Sequence, residues 1–331
     1  MWAPSNVSPT TRSCVRGHLG PRKRGTGPSQ LNAWLAGKPA AQRGFDRRNS
    51  SPIQAKRYGV QMRSTFKEQY GQYALIIGAS AGIGEAFANE IAARGVSLIL
   101  VARRSEKLEQ LSSSVRARFG VDVKNISLDL SSEGAVDRLM DETKSLNIGL
   151  LVLNAAVTNV GSFLKNSYEQ ESISVIFNTL TPTQLAHRIG NRMKSQGRGG
   201  ILFLSSAGNA LPAPLQATYA AAKAYLASFG RALSYELSSD GIDVTVLAPG
   251  MTDTEGMQRA TNFDKSKMKN MRMMAAADVA KTGLDGLGRQ SFVIPGLTNK
   301  LFAIIIGLLP KSTAVKIFGG MMSDIVVKDA Q

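Results

Sequence analysis

Short apolar runs alternate with longer segments of helical spacing along most of this chain. The runs are Tyr73–Ile77, Ser97–Val101, Val123–Leu128, Ile148–Leu153, Gly200–Leu204, Ile242–Leu247 and Phe292–Ile294. Apolar residues recur at helical spacing between them, near residues 83–94, 104–118, 132–145, 168–195, 216–238 and 255–274. Continuously apolar strands are typical of a sheet that is covered on both faces. The pattern therefore predicts an α/β fold, a doubly wound seven-stranded parallel sheet with helices on both faces in a single domain.

The first 61 residues differ from the rest of the chain. They contain six of the twelve prolines and show no sustained apolar period. Such a segment buries too little surface to order itself. We therefore predict a disordered basic extension over residues 1–61, or an incorrectly assigned start with the true one at Met62. The segment is rich in Arg and poor in acids, as a mitochondrial transit peptide is, but its prolines interrupt the helix that such a peptide needs. A cytoplasmic location is the expectation, and a mitochondrial one is the alternative.

The predicted domain covers residues 62–296, and residues 297–331 form a C-terminal apolar helical segment. Its run Leu301–Leu309 lies between Pro295 and Pro310 and is too short to span a bilayer. We expect a buried helix or one that covers the substrate side. Contact with a membrane surface is the alternative.

The net charge of +16 is unevenly distributed along the chain. Residues 1–61 hold eleven Lys and Arg against one acid, whereas the remainder is only mildly basic and its charges are interspersed. Specific nucleic-acid binding is therefore not expected of the domain. Cys14 is the single cysteine, which excludes an intramolecular disulfide and a thiolate metal cluster. His18 and His187 have no accompanying acid or thiol cluster, so no metal site is predicted.

A glycine-rich turn follows the first predicted strand and opens a helix. It reads Gly78-Ala79-Ser80-Ala81-Gly82-Ile83-Gly84. Glycines allow a tight turn and a close approach of the backbone to a pyrophosphate, which the helix N-terminus then holds. The spacing Gly-x-x-x-Gly-x-Gly and the strand–helix alternation resemble the short-chain dehydrogenase/reductase family over residues 70 to 296. The resemblance implies a Rossmann-type fold and a nicotinamide cofactor bound by Gly78, Ser80, Gly82, Ile83 and Gly84.

The end of the second strand indicates which nicotinamide cofactor is bound. An acidic residue there would bind the ribose diol of NAD, but this chain has Arg103 and Arg104. Two guanidinium groups suit a 2′-phosphate, so NADP(H) is predicted rather than NAD(H). Arg103 is the better candidate because it follows the strand end most closely. The alternative is that both arginines face solvent at the sheet edge.

Other cofactor contacts are implied by the family resemblance. Asp129 matches the aspartate beside the adenine ring, and a turn-capping role is compatible with that. Asn154-Ala155-Ala156 resembles the Asn-Ala-Gly signature, with Ala in the third position. The loop with Pro249, Gly250, Thr252 and Thr254 matches the one that closes over the nicotinamide carboxamide.

Tyr219 and Lys223 are four residues apart in a predicted helix and therefore face the same side. A free phenol has a pKa of about 10, and a neighbouring ammonium is expected to lower the pKa of Tyr219. We predict that Tyr219 is the general acid in reduction and that Lys223 tunes its pKa. In the family the matching lysine also binds the nicotinamide ribose.

Two further residues complete the predicted catalytic set. Ser206 lies thirteen residues before Tyr219, the family spacing, and would orient the substrate oxygen. Ser205 is the alternative for that role. Asn178 matches the asparagine that anchors a proton-relay water in the family.

The predicted function is an NADP(H)-dependent oxidoreductase acting on a carbonyl or secondary alcohol of a hydrophobic substrate. Tyr70–Ala74 and the Ala102-Arg103-Arg104 turn resemble the hydroxysteroid and 3-ketoacyl reductase branch. Residues expected to line an apolar substrate pocket are Leu211, Pro212, Met251, Met257 and Leu301–Leu309. The alternative is a catalytically silent NADP(H)-binding regulator on the same fold. The family resemblance also implies a homodimer or homotetramer.

Overall fold

We describe a computed structural model that covers residues 64–210, 212–259, 262–268 and 273–327. The predicted extension at residues 1–61 and the predicted pocket residue Leu211 lie outside this part of the chain.

The main sheet has seven parallel strands: β1 (Tyr73–Ile77), β2 (Ser97–Ala102), β3 (Val123–Ser127), β4 (Ile148–Leu153), β5 (Gly199–Leu204), β6 (Ile242–Leu247) and β9 (Phe292–Val293). They lie in the order β3-β2-β1-β4-β5-β6-β9. This confirms the predicted sheet. A separate two-stranded parallel ladder joins β7 (Thr252–Asp253) to β8 (Met274–Ala275). The strand order reverses between β1 and β4, and the crevice at such a switch point is where open α/β sheets bind ligands.

Helices cover both faces of the sheet. They are α1 (Phe66–Tyr70), α2 (Gly82–Ala93), α3 (Ser105–Phe119), α4 (Ala135–Glu142), α5 (Tyr168–Val175), α6 (Thr181–Gln196), α7 (Ala217–Glu236), α8 (Glu255–Arg259), α9 (Lys265–Met268), α10 (Ala276–Gly286), α11 (Leu297–Leu308) and α12 (Lys311–Ile325). Side chains of α2, α3 and α10 pack on one face with Ala74 and Ile76, and side chains of α4, α6 and α7 pack on the other with Leu75 and Ile77. Alternate residues of one strand thus enter opposite cores, which explains why the strands are apolar throughout.

The predicted helix over residues 255–274 is wrong. Its described part contains two short helices, α8 and α9, and then the strand β8. Asp264 accepts hydrogen bonds from the backbone N–H and the hydroxyl of Ser266, and Phe263 forms an antiparallel bridge with Val326. These local and distant bonds compete with a continuous helix.

The long helix between β6 and β9 is instead α10 (Ala276–Gly286), which our sequence analysis did not predict. Its glycines have a low intrinsic helix preference, yet a Cβ at Gly283 would lie 2.6 Å from the Leu247 side chain. Close packing on β6 therefore requires a small residue there.

The predicted helix over residues 168–195 is interrupted by a π-helical turn, Ile176–Leu180. Single π turns inside α-helices occur frequently at functional sites. Here the turn contains Asn178, which is 1% exposed.

The C-terminal segment forms two helices, α11 and α12. Met322 and Val326 pack against Val160 and Leu215, which belong to the loops after β4 and before α7. Ile306 is the buried residue of α11, and six of its apolar side chains are exposed. Helix α11 is therefore not buried as a whole, because one narrow face carries its packing, and the other expectation, a helix that covers the substrate side, stays a prediction.

Candidate active site

The glycine turn, residues 78–84, is fixed by the strand beside it. Gly78 has a φ of 80°, a conformation that favours glycine, and its carbonyl oxygen accepts a hydrogen bond from Asn154 Nδ2 at 2.9 Å. A Cβ at Gly84 would overlap with that same carbonyl oxygen and lie 2.7 Å from Asn154 Nδ2. Asn154, predicted as a cofactor ligand, therefore also holds the glycine turn in place.

A cavity of about 890 Å³ opens at the carboxyl ends of β1 and β4. The predicted cofactor residues on its wall are Gly78, Ser80, Gly82, Ile83, Arg103, Arg104, Asp129, Asn154 and Ala155. Helix α2 begins at this wall, and its N-cap, Ala81, has no side-chain capping bond. Its first backbone N–H groups and the positive end of its dipole thus suit a pyrophosphate.

The two arginines after β2 have different surroundings. Arg104 Nη2 donates to the carbonyl oxygen and the hydroxyl of Ser80 at 3.3 and 3.2 Å, and its Nη1 lies 3.3 Å from Glu255 Oε1. The Arg103 side chain is 73% exposed and lies 3.8 Å from Asp129 Oδ2. Arg104 is therefore held in place by bonds to other residues of the cavity wall. The Arg103 side chain can turn towards a ligand at a small cost in free energy, because its one ion pair is long and exposed.

Asp129 caps a turn on the cavity wall, and its place beside an adenine ring stays a prediction. Its Oδ1 accepts hydrogen bonds from the backbone N–H and the hydroxyl of Ser131, at 3.0 and 2.7 Å. Those two bonds, the hydroxyl one first, lower the pKa of Asp129, and Arg103 adds to the effect. Asp129 is thus an anion that closes a turn and lies on the cavity wall.

The loop after β6 places its two predicted threonines in different surroundings. Thr252 is buried in β7 and donates its hydroxyl to the Gly250 carbonyl oxygen at 3.1 Å, whereas Thr254 lines the cavity. A Cβ at Gly82 would lie 3.0 Å from the Thr254 side chain. Thr254 therefore lies against the glycine turn, whereas Thr252 is bonded within its own loop. Pro249 accepts a hydrogen bond from the Ala207 N–H, which joins this loop to the segment after Ser206.

Tyr219 and Lys223 lie together on α7. Lys223 Nζ is 5.5 Å from the centroid of the Tyr219 ring and donates at 2.7 Å to the carbonyl oxygen of Leu204. Leu204 lines the cavity, so Lys223 lies behind its wall, bonded to one of the residues that form it. The Lys223 carbonyl oxygen accepts a bond from Ser205 Oγ, which fixes α7 against the end of β5.

The pKa of Tyr219 differs from our expectation. Burial raises the pKa of Tyr219 to about 12 and lowers the pKa of Lys223 to about 8. The prediction that Lys223 lowers the pKa of Tyr219 is wrong for this structure, because desolvation of the phenolate raises that pKa while the ammonium donates to Leu204 instead. Tyr219 is therefore a protonated phenol at neutral pH, ready to donate a proton.

Ser206 lies two residues after the end of β5 and immediately before a short 3₁₀ turn, Ala207–Ala210, that packs against α7. Its Oγ accepts a weak hydrogen bond from the Gly208 N–H at 3.4 Å. Ser205, the alternative, is buried and donates to Lys223. Ser206 is consequently the better placed of the two for a substrate.

Asn178 is bonded to the loop after β4. Its Oδ1 accepts from the Val157 N–H at 2.9 Å, and its Nδ2 donates to the Val157 carbonyl oxygen at 2.6 Å. The side chain thus fixes the loop that carries Val157 to the cavity wall, and the π turn around it packs against α7.

Glu171 is a buried carboxylate that our sequence analysis missed. It accepts a hydrogen bond from the hydroxyl of Thr218, the residue before Tyr219, and another from Asn166 Nδ2 at 2.7 Å. It therefore ties the loop before α5 to the start of the tyrosine helix. No short-range motif marks it, since its partners are five and 47 residues away.

Two other kinds of site were sought in the described ranges. They contain no cluster of three or more His, Cys, Asp or Glu side chains able to hold a metal ion. Nor do these residues include a helix with both the length and the apolar character needed to cross a membrane.

Residues 72–265 match the short chain dehydrogenase family. The chain belongs to that family. It is 32% identical over 239 residues to a 7beta-hydroxysteroid dehydrogenase from Clostridium sardiniense, covering 71% of this chain and 89% of the other. It is also 32% identical to a very-long-chain 3-oxoacyl-CoA reductase-like protein from Arabidopsis thaliana, covering 73% and 78%. These relatives confirm the hydroxysteroid and ketoacyl reductase branch, and the protein is an oxidoreductase of the short-chain dehydrogenase type acting on CH–OH groups.

Solved structures agree with this assignment. A 7beta-hydroxysteroid dehydrogenase structure superposes with a TM-score of 0.72 at 26% identity, covering 77% of this chain and 99% of the other. A short-chain dehydrogenase from Sphingobium yanoikuyae in complex with NADPH superposes with a TM-score of 0.65 at 29% identity, covering 78% and 97%. The glycine turn, whose Gly84 has no room for a Cβ, and the uncapped start of α2 fit the nicotinamide dinucleotide that this family uses.

Proposed function

We propose that this short-chain dehydrogenase uses NADP(H) to interconvert a carbonyl and a secondary alcohol on a hydrophobic substrate of the hydroxysteroid or 3-ketoacyl class. When bound, the nicotinamide supplies or accepts the hydride. The observation that carries the proposal is the cavity whose wall includes the glycine turn, Arg103 and Leu204, the residue to which Lys223 is hydrogen-bonded.

The cofactor preference rests on charge at the end of β2. No carboxylate stands at the strand end itself, where one would repel a 2′-phosphate, and the exposed Arg103 side chain is the cation available to bind it. Arg104 supports the pyrophosphate side of the cavity by holding Ser80. The NADPH complex of the Sphingobium relative supports the same preference.

The chemistry assigned to this chain is one proton transfer. Reduction builds negative charge on the substrate oxygen, and the protonated Tyr219 donates its phenolic proton to that oxygen while Ser206 hydrogen-bonds it. Lys223, with a pKa lowered to about 8, remains largely protonated at neutral pH and offsets the phenolate charge that develops.

In alcohol oxidation Tyr219 must act as a base. Because burial raises its pKa, we expect the oxidation rate to rise with pH above neutrality while the reduction rate does not.

We include a homo-oligomer in the proposal. Val175, Ile176, Leu180 and Tyr225 are apolar side chains exposed along α5, the π turn and α7. Apolar surface on long central helices is what a self-complementary interface would bury.

Replacing Tyr219 by Phe tests the catalytic part of the proposal. We expect kcat for NADPH-dependent reduction of ketosteroids or 3-ketoacyl thioesters to fall about a hundredfold to ten-thousandfold, because the proton donor is lost. NADPH binding, followed by nicotinamide fluorescence, should remain. Tyr225→Phe, on the same helix but hydrogen-bonded to Thr183, is the matched control and should retain activity. A wild-type protein that binds NADPH but reduces no member of either substrate class would favour the regulator instead.

A further inference from the structure

Helix α11 turns an apolar stripe towards solvent. The exposed fraction is 82% for Leu297, 59% for Leu301, 61% for Ile304, 51% for Ile305 and 80% for Leu308. Their spacing is i, i+4, i+7, i+8 and i+11, which places all five on one face of the helix, within an arc of about 100°. We call these five residues the α11 stripe. A surface helix of a globular protein normally directs such a stripe inward.

The orientation of α11 is fixed by its opposite face. Ile306 is buried against Ala314, with Leu309 and Phe318 packed beside it. Asn299 occupies the space next to Gly250, where a Cβ would lie 2.5 Å from Asn299 Oδ1. These contacts keep the stripe outside, so it cannot be buried by a simple rotation of the helix.

The charged residues of α11 and of α12 up to Ser323 are all of one sign. Residues 297–323 contain three lysines and neither Asp nor Glu. The lysines are Lys300, Lys311 and Lys316, and all three side chains are exposed. On the neighbouring α12, Ile317 and Met321 are further exposed apolar side chains, 45% and 40% accessible. An apolar stripe flanked by cations complements a surface in which a layer of anionic groups covers an apolar interior.

We propose that α11 binds flat on an anionic lipid bilayer, with the α11 stripe at the headgroup–acyl boundary and the three lysines against lipid phosphates. Helices with these properties lie in the membrane interface, and each nearby Lys strengthens attraction to anionic lipid. The helix has 12 residues, too few to cross a bilayer. The binding is peripheral and independent of the reaction proposed above.

Two other partners for the stripe are less complementary. A second copy of the chain would bring lysines against lysines at the contact. The N-terminal 61 residues carry eleven basic residues against one acid and would meet the same repulsion. Lipid phosphates supply the opposite charge that both of these lack.

Vesicle sedimentation of the full chain tests the proposal. We expect the wild type to sediment with phosphatidylcholine–phosphatidylserine vesicles far more than with phosphatidylcholine vesicles, and the difference to shrink as salt is raised. The double variant Leu301→Glu/Ile305→Glu should bind the anionic vesicles at least about tenfold more weakly, because two apolar side chains no longer enter the bilayer. Tyr235→Glu, which alters an 87% exposed apolar residue on α7, is the control and should bind like the wild type.

Each contrary outcome overturns the proposal. If the double variant binds anionic vesicles as well as the wild type, the basic N-terminal segment and not α11 carries the attachment. If the wild type ignores both kinds of vesicle and the double variant changes from dimer to monomer in gel filtration, the stripe is a protein interface. Both positions are more than half exposed, so circular dichroism should show an unchanged fold.

Discussion

The glycine turn and the β6 loop, residues 248–259, line the same cavity but are held there in different ways. The glycine turn is fixed by its immediate neighbours in the sheet: Asn154 bonds the Gly78 carbonyl, and the Ala155 N–H bonds the Ile77 carbonyl at 3.0 Å. The β6 loop depends on distant segments, through the pairing of β7 with β8 and the Arg104–Glu255 ion pair. The glycine turn is therefore held by the sheet itself, whereas the β6 loop can change with less cost to the fold.

Gly84→Ala should have the largest effect, because it alters the glycine turn, the more tightly held of the two segments. The new Cβ would overlap with the Gly78 carbonyl oxygen, and overpacking of this kind costs about 3 kcal/mol of unfolding free energy. NADPH binding should be lost as well. Urea unfolding and nicotinamide fluorescence measure the two effects.

Gly307→Ala is the matched control for that substitution. Nothing lies within 4 Å of a Cβ at this position in α11, so the change should raise stability by up to about 1 kcal/mol. An unchanged stability and NADPH affinity in Gly84→Ala would show that the turn is not tightly enclosed.

Glu255→Gln should have a smaller effect and sharpens the comparison on the side of the β6 loop. Removing this carboxylate from the cavity wall leaves the Arg104 charge available to the nucleotide phosphates. We expect the Kd for NADPH to fall about threefold, the size of a partly exposed ion pair, and the gain to diminish with salt. Calorimetric titration measures it, with Asp137→Asn as a carboxylate control outside the cavity. Weaker NADPH binding would instead mean that the ion pair preserves the shape of the wall.

The same contrast explains how much could be predicted from the sequence. The seven strands and the glycine turn carry local signals: continuous apolar runs, and glycines directly after a strand. The false helix over residues 255–274 arose where distant bonds decide the structure, such as the Phe263–Val326 bridge. Helix α10 was missed because its glycines serve packing on β6 and weaken its helical signal.

The site shows the same division. Tyr219 and Lys223 could be paired from their spacing of four residues, because a helix fixes which side chains share a face. The direction in which the Tyr219 pKa shifts could not be predicted from this spacing. It depends on burial and on the Leu204 carbonyl oxygen to which Lys223 is bonded. Glu171 and the Arg104–Glu255 pair join segments far apart in the chain, so no sequence pattern identifies them. The exposure of the α11 stripe likewise depends on which face of α11 packs against the rest of the protein.

The measurement that tests the account most directly is a fluorescence titration with NADPH and with NADH, in the wild type and in Arg103→Ala. We predict that the wild type binds NADPH more tightly. The variant should lose roughly tenfold or more in NADPH affinity, because a charge-assisted hydrogen bond to the 2′-phosphate is removed, while its NADH affinity stays the same. Equal binding of the two nucleotides by the wild type, or an equal loss of both in Arg103→Ala, would contradict the assignment of NADP(H) and of Arg103 as its phosphate ligand.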